Sequence, residues 1–265
     1  MVQAVFEMLF DLAYFVTALT VGIILVKKGK STYLKLFGIM AIVLASGDSF
    51  HLAPRVYSLF TNTMEQNAFY LGLGQMITSV TMTIFYVFLY FILELRAGRK
   101  STPLRVSVFG LALVRIILCF LPQNEWFISD APVLWGIIRN IPFAIMGIII
   151  IVLCFIRYKE ANDKDYLQMG IAVILSFGFY IPVVIWANTV PMIGMLMIPK
   201  TLAYVWVVMI GFMEYKREIK ANKTSENNVV VKNVVLDVPN EKTGEIISEE
   251  TAENESENVN DGNID

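Results

Sequence analysis

The sequence predicts an all-α, polytopic membrane protein: a seven-transmembrane-helix bundle with the N-terminus outside, the C-terminus inside and a disordered acidic C-terminal tail. Three observations predict it. Apolar residues make up 56% of the 265 residues, charged residues only 17%, and the mean hydropathy is +0.62. Soluble domains hold about 45–50% apolar and about 25% charged residues. Seven stretches approach the roughly 20 mainly apolar residues that a crossing needs. Lysine and arginine crowd alternate connections, as they do on the cytoplasmic side of membrane proteins.

The spans fall at residues 3–26, 34–54, 67–94, 103–121, 133–157, 165–187 and 191–215. The first has no basic segment before it, contains Glu7 and Asp11, and is followed by "VKKGK". It reads as a retained helix and not as a cleaved signal peptide. The connections are short, so neighbouring helices run antiparallel. Lys27, Lys28, Lys30 and Lys35 mark the first connection, Arg96, Arg99, Lys100 and Arg105 the third, and Arg157, Lys159 and Lys164 the fifth. The fourth and sixth, "PQNEWFISDAP" and "NTVPMIG", carry no Lys or Arg. Trp126, Trp135 and Trp186 are placed for the outer interfacial belt. Cys119 and Cys154 lie in apolar runs and are expected to be buried small hydrophobes.

Residues 1–215 form the seven-helix domain. Residues 216–265 comprise a cytoplasmic basic juxtamembrane segment and the acidic tail. From Thr224 onward eleven acids stand against Lys232 and Lys242, with no aromatic residue. Such a segment cannot bury enough apolar surface to fold. It is a solvating tail or a docking segment for a cytoplasmic partner, with "VVVKNVVLDV" suited to pairing with an edge strand. Nothing indicates nucleic-acid binding. The expected surroundings are the lipid bilayer of the cell (plasma) membrane, crossed several times.

The informative stretch is "GDSFHLAPR". Asp48, the chain's single histidine His51, and Arg55 follow the spacing i, i+3, i+7, which stacks them on one helix face. Glu7, Asp11 and Tyr14 share a stripe of helix 1. At 1.5 Å per residue, Asp48, Arg115 and Arg139 lie roughly 9 Å below the outer surface, Asp11 and Gln75 roughly 12 Å, and Lys200 roughly 14 Å. All these charges therefore fall in the outer half. Pro54, Pro142, Pro182 and Pro199 fall there too, each freeing a carbonyl that needs a partner or a wet cavity. The inner half, with "GIIIIVLCF" and "VVMIGF", is mainly apolar.

A charge at the bilayer centre costs at least about 2.5–3.5 kcal/mol. Glu7, Asp11 and Asp48 are therefore expected to pair with Arg115, Arg139 and Lys200, with Arg55 near the rim. Such a set is either an ion-paired plug or a ligand site. Basic groups exceed acids, so an anionic ligand bearing a carboxylate or phosphate would complete the balance, with Arg115 and Arg139 as its clamps. The candidate ligand-binding residues are Glu7, Asp11, Asp48, His51, Arg55, Gln75, Arg115, Arg139 and Lys200. No catalytic residue, metal site or cofactor is assigned, because one histidine cannot supply a three-ligand zinc site and adjacent helix turns do not make a triad.

Lys200 in helix 7 and "FYIPVVIW" in helix 6 resemble microbial rhodopsins, in which such a lysine carries retinal. The pattern departs where Leu196 replaces an acid, where "GQMITSVTMTIF" lacks the arginine–acid pair, and where Lys200 follows Pro199. "GDSFHLAPR", "TSVTMTIFY", "RNIPF" and "MIPKTLAYVW" resemble an uncharacterised bacterial seven-transmembrane-helix protein family, across the spans but not the tail. That resemblance implies no activity and no site residues. The sequence favours a sensor or receptor-like protein that takes a small polar or anionic ligand from outside. A transporter or proton-coupled carrier is the alternative, ahead of an intramembrane enzyme.

The orientation is checked by labelling. In intact cells the Lys100 connection should be protected from impermeant reagents and the Trp126 connection reachable. Labelling at Lys100 from outside would overturn the orientation.

Overall fold

A computed structural model describes residues 2–61, 63, 65–128, 131–186 and 189–237, without the side chains of residues 2–4, 191 and 226–237. The described residues form helices and connections, with no strand. The helices are α1 (Val2–Lys28), α2 (Thr32–Thr61), α3 (Ala68–Ala97), α4 (Thr102–Phe120), α5 (Val133–Ala161), α6 (Lys164–Trp186) and α7 (Met197–Asp237). Seven helices are long and apolar enough to cross a membrane. The bundle forms one compact unit, Met1–Tyr215.

Successive helices from α1 to α6 pack against one another, and α3 also reaches α5. Helix α7 closes the set: Tyr204 packs edge-on against Phe85 of α3, with ring centroids 5.2 Å apart, and Gly211 lies against Phe37 of α2. The core between them is apolar and aromatic, with Phe37, Phe85, Tyr86 and Phe143 almost wholly buried. Cys119 and Cys154 are free and buried, as expected of small hydrophobes.

Three boundaries differ from the sequence reading by more than four residues. Helix α2 does not end at residue 54 but continues through Pro54 to Thr61. A proline removes one helix hydrogen bond without ending the helix when the neighbours hold it. Helix α7 does not begin at 191, since Pro191–Leu196 form a 3-10 turn and the α-helix starts at Met197. Pro199 therefore lies in the first α-helical turn, where proline is tolerated. Helix α7 also runs to Asp237, through Thr224 and the segment read as a strand-pairing motif. The Lys, Glu and Ala residues between Glu214 and Lys223 favour helix continuation. The rest of the acidic tail lies outside the described residues.

The two ends of the bundle treat their charges differently. At the end bearing the α1–α2, α3–α4 and α5–α6 connections, Arg96 donates from Nε to Asp163 (2.7 Å), from Nη2 to Asp165 (2.9 Å) and from Nη1 to Tyr33 (2.7 Å). Arg105 meets Glu94 at 2.7 Å. The opposite end carries the cavity described below.

Glycines set the distance between α2 and α3. A Cβ on Gly74 would lie 2.7 Å from the Cα of His51 and 2.8 Å from the Phe50 carbonyl carbon, so the backbones touch where His51 is placed. Gly110 of α4 faces open space. Gly74→Ala should lower stability by about 1–3 kcal/mol through overpacking. Gly110→Ala should raise it by roughly 0.5–1 kcal/mol, the helix cost of glycine. Thermal unfolding in detergent compares the two, and equal effects would refute the close crossing.

Candidate functional site

Because α2 continues through Pro54, Asp48, His51 and Arg55 remain on one continuous helix. Arg55 is therefore not a loop residue but a bundle residue. Its Nε lies 2.9 Å from Oε2 of Glu7 and its Nη2 3.3 Å from Oε1, a two-point clasp between α2 and α1. One turn further along α1 and beyond, Tyr14 donates its hydroxyl to Oδ2 of Asp48 at 2.8 Å. The stripe Glu7, Asp11, Tyr14 thus faces the stripe of α2. Asp11 makes no hydrogen bond or ion pair with any described residue. His51 is buried beside Gly74, and its Nδ1 has no hydrogen-bond partner among them.

Two adjoining cavities open around these residues. The larger has a volume of about 220 Å³ and is bounded by α2, α3, α4, α5, α6 and α7, with Trp126, Ala131 and Pro132 from the α4–α5 connection. Gln75, Thr78, Arg115, Arg139 and Tyr180 line it, and no carboxylate does so among the described residues. The smaller, about 40 Å³, lies between α1, α2 and α7 and is lined by Glu7, Asp11, Asp48 and Thr201. His51, Arg55 and Lys200 stand in the walls of both.

The expected cross-helix ion pairs of Arg115, Arg139 and Lys200 do not form. Arg115 is 2% exposed, stacks 3.4 Å above the Phe143 ring centroid, and donates from Nη2 to Oδ1 of Asn140 at 3.3 Å. Its Nε and Nη1 are occluded and without partner. Arg139 lies 4.0 Å over the Trp126 ring and donates to Oδ1 of Asn124 at 3.0 Å. Lys200, 6% exposed in the first turn of α7, has its Nζ 4.3 Å from the Tyr180 ring and 5.5 Å from that of Tyr204. All three cations are held by aromatic faces and neutral amides. Cation–π contacts contribute roughly 0.5–2 kcal/mol, well short of neutralising a buried charge.

The structure therefore brings all nine sequence candidates to two neighbouring cavities but divides them. Glu7, Asp11 and Asp48 face the smaller, while Gln75, Arg115 and Arg139 face the larger. Sequence reasoning missed Asn140, Asn124 and the aromatic holders. Asn140 follows Arg139 directly, and its Oδ1 accepts from both Arg115 and the Tyr180 hydroxyl, the latter at 3.1 Å. Trp126 does not sit in the lipid interface. It is buried, donating from Nε1 to the Cys119 carbonyl at 2.8 Å, and its own backbone packs onto Gly72 of α3.

No family model matches the chain, and no curated protein or solved structure matches it either.

A guanidinium buried without a carboxylate is a net cost that an apolar side chain would remove. Arg115→Met should raise stability by about 1–4 kcal/mol, as replacing buried charges often does. A fall of similar size in thermal unfolding would show that Arg115 holds the bundle together.

Proposed function

We propose that this is a receptor-like protein of the cell membrane that binds a small organic anion, bearing a carboxylate or phosphate, in the larger cavity from outside. The observation that carries this reading is the lining: Arg115, Arg139 and Lys200 converge without a carboxylate among the described residues. The contrast with Arg96 is instructive, because the same chain gives that arginine two carboxylates within 2.9 Å. Aromatic walls from Trp126, Phe143 and Tyr180, with a few placed polar groups, suit an organic ligand.

Reception is favoured over passage by what lies deeper. Phe143 packs on Tyr86 at 4.7 Å and on Phe177 at 5.1 Å, and Tyr86 meets Tyr204 at 6.4 Å. These rings floor the cavity across α3, α5, α6 and α7. A carrier needs a path through both halves, and this aromatic layer interrupts it. The basic connections and the acidic tail then supply the surfaces through which binding would be reported.

The test uses purified full-length protein in lipid nanodiscs with benzoate, succinate and inorganic phosphate as probes. At least one should bind and raise thermal stability, by about 2.7 kcal/mol at a hundred times its Kd. Arg139→Gln should weaken that binding at least tenfold. If none of the three binds, or if Arg139→Gln leaves affinity unchanged, the reading fails.

A further inference from the structure

We propose that the two cavities form a single divided site for an amino-carboxylate: the acid group of the ligand in the larger cavity, its ammonium in the smaller. This deepens the anion-binding reading above and rests on it. The supporting feature is where the carboxylates lie: Glu7, Asp11 and Asp48 line the smaller cavity, and among the described residues none lines the larger.

In the larger cavity the charges without a carboxylate partner are positive, Arg115 and Arg139. In the smaller, Glu7 is engaged by Arg55. Asp48 receives only the Tyr14 hydroxyl on Oδ2, with no ion pair within 4.0 Å, and Asp11 has no hydrogen bond or ion pair among the described residues. An ammonium carries three donors and no acceptor. Asp11, the second oxygen of Asp48 and the Thr201 hydroxyl, all lining the smaller cavity, offer it acceptors. A volume of about 40 Å³ is enough to admit an ammonium group.

The boundary between the compartments points the same way. His51 lines both, is nine-tenths buried, and leaves Nδ1 unpartnered. Nδ1 is itself occluded, so the ring takes part as the wall past which a ligand spanning the two cavities would run. Lys200 also stands in both walls: its Nζ lies 4.3 Å from the Tyr180 ring, which lines only the larger cavity, and its charge interacts with Asp48, which lines only the smaller. It therefore belongs to the boundary between the two. A ligand that carried only an acid would fill the larger cavity and leave Asp11 unanswered. A ligand that carried only an amine would fill the smaller cavity and leave Arg115 and Arg139 without a carboxylate.

The experiment compares ω-amino acids from glycine to 6-aminohexanoate, each against the acid of equal length without its amino group, on full-length protein in nanodiscs. At one length or more the amino acid should bind at least tenfold tighter than its plain acid, a ratio worth about 1.4 kcal/mol. In Asp11→Asn that ratio should fall below threefold, and in Arg139→Gln both members of the pair should weaken at least tenfold. If plain acids bind as tightly as their amino counterparts at every length, or if the ratio survives in Asp11→Asn, the divided site is overturned while anion binding stands. If neither series binds and the earlier probes also fail, the anion-binding reading itself falls.

Discussion

A buried positive charge must be answered by something, and in this bundle the answer for Arg115 is incomplete. Water and lipid cannot supply it at 2% exposure, and the nearest groups are a phenyl ring and a neutral amide. The desolvation of a guanidinium in such surroundings costs several kcal/mol. Everything nearby is arranged around that deficit. The α4–α5 connection folds inward with Trp126 against Arg139, Asn140 reaches across to Arg115, and Tyr180 of α6 closes on the same oxygen. The apolar inner half supplies the packing that makes such a costly outer half tolerable.

Two other places in the bundle show what a settled arrangement looks like. Glu7 and Arg55 form a two-point clasp, and Arg96 is surrounded by acids and a phenol. These contacts fix α1 to α2 and α3 to the α5–α6 corner. Structural ion pairs and candidate ligand groups thus differ by partner, not by residue type or depth, and this difference separates stability from binding in the same helices.

Much of this was legible in the sequence. The spans follow from hydropathy, and the helical period puts Asp48, His51 and Arg55 on one face whatever their neighbours are. The pairing was not legible. Periodicity fixes a face but not the register between helices, so it leaves Arg55 at the rim although it reaches Glu7, and it matches Arg115 with an acid although its partner is Asn140. The aromatic holders were hidden because phenylalanine, tyrosine and tryptophan are common throughout such helices. Pro54 misled in a different way, since a proline that ends a soluble helix can be accommodated between packed neighbours. Asn140 had one visible signal, an amide set directly after an intramembrane arginine.

Asn140 also decides which kind of group the neighbourhood of Arg115 can still serve. A carbonyl oxygen has two lone pairs, and Oδ1 spends both, one on Arg115 and one on Tyr180. Its amide nitrogen donates to the Gly136 carbonyl at 2.8 Å. The amide oxygen therefore has nothing left to accept with, while Arg115 gives it one of the five N–H groups of a guanidinium. Asn140 orders the arginine without using up its donors, and a newcomer beside it is asked for acceptors and not for protons.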